Sequence, residues 1–544
     1  MLARSVLVAL MFALLSAPAV LQRWLGGDTA PYIVTTIVLV AMTTALVLSW
    51  RDEHDGQPLE ISSRTPATSG RSGWATTVVA AAAVALLFVM CRTWLDQILA
   101  IPLDPFRGDM LVLVREGVRR AFEGRNPYTT YHIPWAAPLS YGPMLWAPYA
   151  VPILLRVDPR FLAVIGELFV PVACAASALA SAARGRLAAA AGALVMLGAI
   201  GLSGSLAQFT SVAHTPVYWP LLALFAWLTA RRRWYAAALS LGLLVVARST
   251  MITIVPVLLM AVWQLDRRRF AGVCVIVALA AVLPLLPFAI WDPRALVDAM
   301  YGVYQRVIKT AVWGDATVPH TIGLTGVLLS HHLHRFVEVV QVGVMIIVYG
   351  TCWALLGRGR SPVALMGTAL LAFSMTTLWP VYYLYFDVFL LFAAGILADM
   401  PWLDTRLSTP SLVRRWAAVA TVSVVLAAGF GIVMLRMRVD QPPDIMWRDA
   451  QGLATIPLLR HKISPVTVDL RIGERPDGPQ QMNVALNGLP FGTIDLSSSE
   501  HVILALPESY WQIGANTLEL SPSVPIAFRE VIVRSAQSSQ LARP

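Results

Sequence analysis

Between residues 5 and 436 the chain is a succession of apolar runs of roughly membrane-crossing length, separated by short polar stretches that carry clustered arginines. The runs are 5–21, 31–50, 74–95, 161–181, 187–204, 212–230, 235–263, 271–290, 335–356, 362–379, 381–399 and 414–436, with a further apolar stretch at 141–157. Such a pattern has few solutions, because in lipid every backbone polar group must be satisfied within the protein and helices are the ordinary way to do it. The charged fraction agrees: 13% of residues are Asp, Glu, Lys or Arg, against about 25% in a soluble domain. The expected fold class is an all-α polytopic membrane protein.

The net charge of +10 argues against a nucleic-acid partner once its distribution is considered. The arginines stand between apolar runs, as Arg184/Arg186, Arg231/Arg232/Arg233, Arg267/Arg268/Arg269, Arg358/Arg360 and Arg406/Arg414/Arg415. This is the pattern of the positive-inside rule, so all five clusters are expected on the cytoplasmic side of a cell membrane. Holding them there fixes two ambiguous segments. Residues 235–263 must leave and return to the same side, so two short helices are expected to meet near Arg248-Ser249-Thr250. Pro143, Pro148 and Pro152 set 141–157 apart as a segment that lies in the interface without crossing.

About thirteen spans follow, with the N-terminus and the polar stretch Arg51–Gly73 inside and the 96–140 stretch outside. Ser16-Ala17-Pro18-Ala19 loosely resembles a signal-peptide cleavage region, but the topology closes only if 5–21 is kept as an anchor. The expected domains are 1–73, a helix pair with a cytoplasmic loop; 74–437, the membrane domain, with an external loop at 96–160; and 440–544. In that last region short segments alternate apolar and polar with period two, and Asn487-Gly488 is a hairpin turn. They predict a jelly-roll-like β-sandwich on the external side, whose turns do not decide between glycan binding and packing on a partner.

The stretch Asp104–Tyr149 holds Asp104, Asp109, Glu116 and Glu123 beside membrane. After Asp109, Leu113, Val114, Val118, Ala121 and Phe122 recur near helical spacing among charges, which predicts an amphipathic helix on the membrane surface. Asp109 itself has two readings: a helix cap favoured by the dipole, or a catalytic carboxylate. Arg248 also has two. A cation between apolar runs is costly and usually functional, but it can also snorkel to the interface.

The order G-D-x-x-x-x-x-x-E-x-x-x-x-A-F-E-G-R-N-P-Y over 108–128, followed by P-L-S-Y-G-P-M-L-W-A-P-Y over 138–149, resembles the first external loop of GT-C superfamily glycosyltransferases, in particular the bacterial α-mannosyltransferases that use a polyprenyl-phosphate sugar. The motifs cover about fifty residues and the multi-span layout extends the likeness to about residue 400. The resemblance implies transfer of a hexose, most plausibly mannose, from a polyprenyl-phosphate donor to an extracytoplasmic glycan or glycolipid acceptor. It implies Asp109 as the base and, as substrate-binding candidates, Asn126, Tyr128 and Tyr141 within the motifs, with His320 where similar enzymes place a polar motif. The departing phosphate then wants a cation, which Arg248 offers from the expected helix break and Arg107 from beside Asp109, and Tyr382 and Tyr383 offer a wall for the sugar or lipid. The Asn/Ser-rich form of the motif around His320 is absent here. Tyr382 and Tyr383 also read as an interfacial aromatic belt, and Asp387 lies a turn below them as a structural or functional acid.

No cofactor is expected and no metal site: His331, His332 and His334 have poor ligand spacing. Cys91, Cys174, Cys274 and Cys352 sit in apolar runs, at neither ligand nor disulfide-framework spacing. The alternative function is a transporter or flippase of lipid-linked sugars, which predicts inverted repeats that the sequence does not display.

Overall fold

The computed structural model describes residues 1–14, 30–50, 71–100, 110–132, 136–155, 158–210, 215–302, 323–378, 382–400, 409–436, 445–448, 453–458, 466–472, 481–496, 501–505, 510, 514–523 and 528–535. The protein is mostly helical up to Arg436 and β-structured beyond it. Among the described residues four helices are long and apolar enough to cross a membrane: Ala30–Ser49, Trp74–Ile98, Arg160–Ala183 and Val337–Leu356. Further apolar helices among these residues are shorter, so the structure supports association with a bilayer without establishing about thirteen spans.

Local breaks account for much of the shortening. The expected run 271–290 divides into Phe270–Val282 and Leu286–Trp291 around Pro284, since proline removes a backbone donor and crowds the preceding turn. Run 212–230 enters its helix at Trp219 after a 3-10 turn over Thr215–Tyr218. Run 235–263 is interrupted as expected: Trp234–Ala247 ends at Arg248, whose backbone is extended (φ −141°, ψ 111°), and a 3-10 turn leads into Val255–Leu265. The segment at 141–157 is cut at Pro148 and forms nothing longer than Pro143–Leu154, about 18 Å at helical rise and too short to span.

The core is built around Leu384–Ala398, every residue of which is buried. Phe12, Phe209 and Trp219 converge on its Phe386 and Phe389, with Phe12–Phe389 centroids 5.4 Å apart and Phe209–Phe386 5.3 Å. By contrast Val339, Ile346 and Ile347 on Val337–Leu356, and Val84 and Phe88 on Arg71–Ala100, are 66–71% exposed. Large apolar side chains displayed in this way suit a hydrocarbon solvent.

Among the described residues, arginines of several clusters gather at one end. Arg4 reaches Asp399 (3.5 Å) and the Ser49 carbonyl (2.7 Å), and Trp50 Nε1 donates to the same carboxylate (2.7 Å). Arg360 donates to the Leu48 carbonyl and Arg231 to that of Ala398 (2.8 Å). Gln264 donates to the Trp353 carbonyl (3.0 Å), bringing in the turn with Arg267–Arg269, and Ser177 lies 2.7 Å from Met400 Sδ near the end that carries Arg184. These contacts bring residues of four of the five clusters to one end of the bundle; Arg406 of the fifth lies outside the described residues.

Two sheets follow, in the orders β2-β1-β8-β5-β10-β3 and β4-β9-β6-β7. Their strands are β1 Thr130–His132, β2 Ala136–Pro138, β3 Ile445–Arg448, β4 Leu453–Leu458, β5 Val466–Ile472, β6 Gln481–Leu486, β7 Leu489–Asp495, β8 His501–Ala505, β9 Gly514–Pro522 and β10 Phe528–Ser535. Asn487 and Gly488 both have positive φ (54° and 74°) and close the β6–β7 hairpin, the mirror-image turn whose twist matches paired strands. The expected division at residue 440 needs one amendment: β1 and β2 belong to the 96–160 loop, yet they complete the first sheet.

The loop helix forms over Met110–Phe122, but it does not lie on a surface. All residues from Leu111 to Arg119 are buried, because its charges neutralise one another: Glu116 contacts Arg115 (3.3 Å) and Arg119 (2.9 Å). Paired charges can be enclosed by protein at a cost that isolated ones could not meet.

Candidate functional site

At the end of the bundle opposite the arginine clusters, three chain segments bring polar groups together in an otherwise apolar core. Asp387 lies in the first turn of Leu384–Ala398, where a carboxylate complements the helix dipole. It is 3% exposed. Tyr218 donates its hydroxyl to Asp387 Oδ2 (2.7 Å) and Trp219 its indole N–H to Oδ1 (2.9 Å), so both carboxylate oxygens are held from the start of Trp219–Ala230. Without such donors a buried carboxylate would be expensive. Arg248, at the end of Trp234–Ala247, acts electrostatically on both Asp387 and Tyr218, and its guanidinium carbon lies 5.8 Å from the Tyr383 ring centroid. Tyr383 stacks on Phe209 (5.3 Å) and meets Tyr382 edge-on (6.0 Å).

The motif-bearing loop is seated against this cluster by a close backbone approach. A Cβ at Gly142 would fall 1.6 Å from the Val246 carbonyl oxygen, two residues before Arg248. Gly166 makes a similar approach to the Pro216 carbonyl (1.9 Å), fixing Arg160–Ala183 against the turn that carries Tyr218. Gly323, at φ 106°, sits where a Cβ would be 2.6 Å from the Tyr385 hydroxyl. It lets the start of Leu324–Ser330 meet the same end of the bundle.

Within the loop, the motif residues brace one another. Asn126 Oδ1 accepts from the Tyr128 amide (3.0 Å), an Asx turn, and Arg120 donates to the Asn126 carbonyl (2.8 Å). Tyr128 donates to the Tyr141 carbonyl (3.2 Å), accepts from Trp146 Nε1 (3.3 Å) and packs edge-on against Phe288 (5.3 Å). Tyr131 donates to the Pro127 carbonyl (2.8 Å). Burial pushes the phenols of Tyr128 and Tyr131 upward, which keeps both as neutral donors.

The structure therefore brings Arg248, Tyr382 and Tyr383 together with Asp387, and it places Asn126, Tyr128 and Tyr141 in the loop seated on the end of Trp234–Ala247, next to Arg248. Arg107, Asp109 and His320, like Asp104, lie outside the described residues; Met110 opens the helix that follows Asp109. Tyr218, Trp219 and Phe209 complete the cluster and were not singled out from sequence. The available signal was Asp387 itself, since an acid inside an apolar run demands donors from elsewhere. Among the described residues no three His, Cys, Asp or Glu side chains converge as metal ligands.

A cavity of about 330 Å³ lies between Ala30–Ser49, Val337–Leu356 and Pro362–Thr376. It reaches Leu324, Met375 and Thr376 at the end that carries the Arg248 cluster. Several threonines line it, but Thr36, Thr44, Thr351, Thr368 and Thr376 each donate to a carbonyl one turn back in their own helix (2.7–2.9 Å). The Thr43 hydroxyl, also on the lining, has no hydrogen-bond partner among the described residues; with the other five satisfied and the rest of the lining mostly aliphatic, the cavity suits hydrocarbon.

No known protein family, curated protein or solved structure matches the chain.

Proposed function

We propose that the protein is an integral-membrane glycosyltransferase of the GT-C type, transferring a hexose, most plausibly mannose, from a polyprenyl-phosphate sugar to an extracytoplasmic glycan or glycolipid acceptor. The observation that carries this reading is the arginine–aromatic–carboxylate cluster at the end of the bundle away from the arginine-rich face, joined through Gly142 and Val246 to the loop that bears the motifs. A lipid-linked phosphate needs a cation near the membrane edge and an apolar path for its tail; Arg248 and the neighbouring cavity answer to those two needs.

In this reading Asp109 takes the proton of the acceptor hydroxyl. The oxygen attacks the anomeric carbon as the bond from that carbon to phosphate breaks, so configuration inverts. Polyprenyl phosphate departs with the electron pair, stabilised by Arg248 or Arg107, and needs no general acid. Tyr382 and Tyr383 offer a wall for the sugar, while His320, Asn126, Tyr128 and Tyr141 are assigned to substrate through the motifs. About thirteen spans, an outward-facing loop and a C-terminal jelly-roll-like β-sandwich complete the reading, in a cell membrane with the N-terminus cytoplasmic.

The test uses purified protein in liposomes with labelled polyprenyl-phosphate mannose and a crude envelope-lipid acceptor. Wild type is expected to form labelled product, and Asp109→Asn to lose about 10²–10⁴-fold in rate while remaining folded, the range for a general base. Equal activity of the two would reduce Asp109 to a helix cap.

A further inference from the structure

The first sheet holds an arrangement that chain connectivity does not require. Of its six strands, β1 and β2 come from the loop and the other four from the C-terminal region. β1 and β2 form an antiparallel hairpin (Thr130↔Pro138, Tyr131↔Ala137, His132↔Ala136), and β1 also runs parallel to β8 with His132 opposite Val502. β8 is in turn held across five residue pairs by β5, from Thr467↔Ala505 to Arg471↔His501. On its other edge β8 meets β1 through Val502.

The hairpin is rigidly tied to the rest of the loop on both sides. Upstream, Tyr131 bonds the Pro127 carbonyl, and Tyr128 bonds the Tyr141 carbonyl and Trp146. Downstream, fully buried Leu139 covers Gly117 so closely that a Cβ there would be 2.7 Å from its Cδ2. Gly117 lies in the middle of Met110–Phe122, the helix immediately after Asp109. Tyr131 also lies in the electrostatic field of Glu116, Arg119, Arg120 and Glu123 on and just beyond that helix. A shift of β1 therefore passes through Leu139 to this helix and through Tyr128 to the segment seated on Val246.

We infer that the C-terminal domain is a positioning element of the site: β8 clamps β1 and thereby sets the helix that follows Asp109. The inference rests on the glycosyltransferase reading for its catalytic consequence but not for its geometry. The contacts that Arg248 and the apolar cavity offer to phosphate and tail lie in the helical bundle and depend on the clamp less than Met110–Phe122, the helix that begins one residue after Asp109. A misplacement of about 1 Å at a reacting group can cost roughly 10²-fold in rate. A positioning role thus predicts a change in kcat with little change in the KM for donor.

The test uses full-length protein. His132→Pro removes a backbone donor from β1 without altering any residue of the C-terminal region. It is expected to lower kcat about 10–100-fold with donor KM within about twofold, and to open the buried Arg115 and Arg119 to trypsin. Asn487→Ala, which loosens the second sheet where Asn487 holds Thr517 and Tyr510 (both 2.8 Å), is expected to change neither. Paired strands stand about 4.8 Å apart, within disulfide range, so oxidised His132→Cys/Val502→Cys is expected to crosslink and to keep wild-type kcat. Absence of the crosslink, unchanged trypsin resistance in His132→Pro, or new cleavage with unchanged kcat would each overturn the clamp. Asp109→Asn assayed alongside separates the two readings: if it is inactive while His132→Pro is fully active, the clamp fails and the chemistry stands. If it is fully active, the base assignment fails and the crosslink and cleavage decide the clamp.

Discussion

Asp387 shows how one residue can order its surroundings. Its oxygens take the Tyr218 hydroxyl and the Trp219 indole, and Arg248 supplies the compensating charge. Asp387→Leu would leave both donors buried without an acceptor, and we expect a loss of about 2–5 kcal/mol, read as a lower thermal midpoint in detergent; Asp387→Asn, which keeps one acceptor oxygen, should lose less. Gly142 gives a sharper test. A methyl there meets the Val246 carbonyl, a backbone atom that cannot swing aside, so Gly142→Ala should lower transfer at least about tenfold with unchanged helix content by circular dichroism. The sequence marked Asp387 and Arg248 because charges in apolar runs are costly. It did not mark Tyr218, Trp219 or Phe209, because an aromatic in an apolar run looks the same whether it meets lipid or a carboxylate.

At the scale of elements, legibility followed how local the determinants are. The strands of the tail and the Asn487-Gly488 turn could be read because side-chain alternation and positive φ are local properties: Met482, Val484 and Leu486 are buried on β6 while Gln481 and Asn483 are exposed. Gly488→Ala, at φ 74°, should destabilise the tail by about 1–2 kcal/mol, measurable by proteolysis, without altering the membrane domain. The interruption at Arg248 was legible for the same reason, from length and charge together. The burial of Met110–Phe122 was not. Its charges satisfy one another only once Arg115, Glu116 and Arg119 are seen in three dimensions, and spacing alone made it look like a helix with a wet face. The β1–β8 pairing was equally hidden, since nothing in three residues of loop announces a partner some 370 positions away.

For the whole molecule, the two ends of the bundle differ in chemistry. One collects Arg4, Arg231, Arg360 and Asp399; the other collects Arg248, Asp387 and the aromatics, together with the loop and the sheet it completes. The pairing of β1 with β8 joins the loop to the tail. The most direct measurement follows the label of a polyprenyl-phosphate mannose in liposomes containing wild type or Arg248→Ala. The account predicts label in a new glycosidic bond of configuration opposite to the donor's, with the rate falling about a hundredfold or more in the variant, as for loss of a charge-stabilising donor. Label that crosses the bilayer still attached to its lipid, with no new glycoside and no dependence on Arg248, would contradict it and make the protein a flippase.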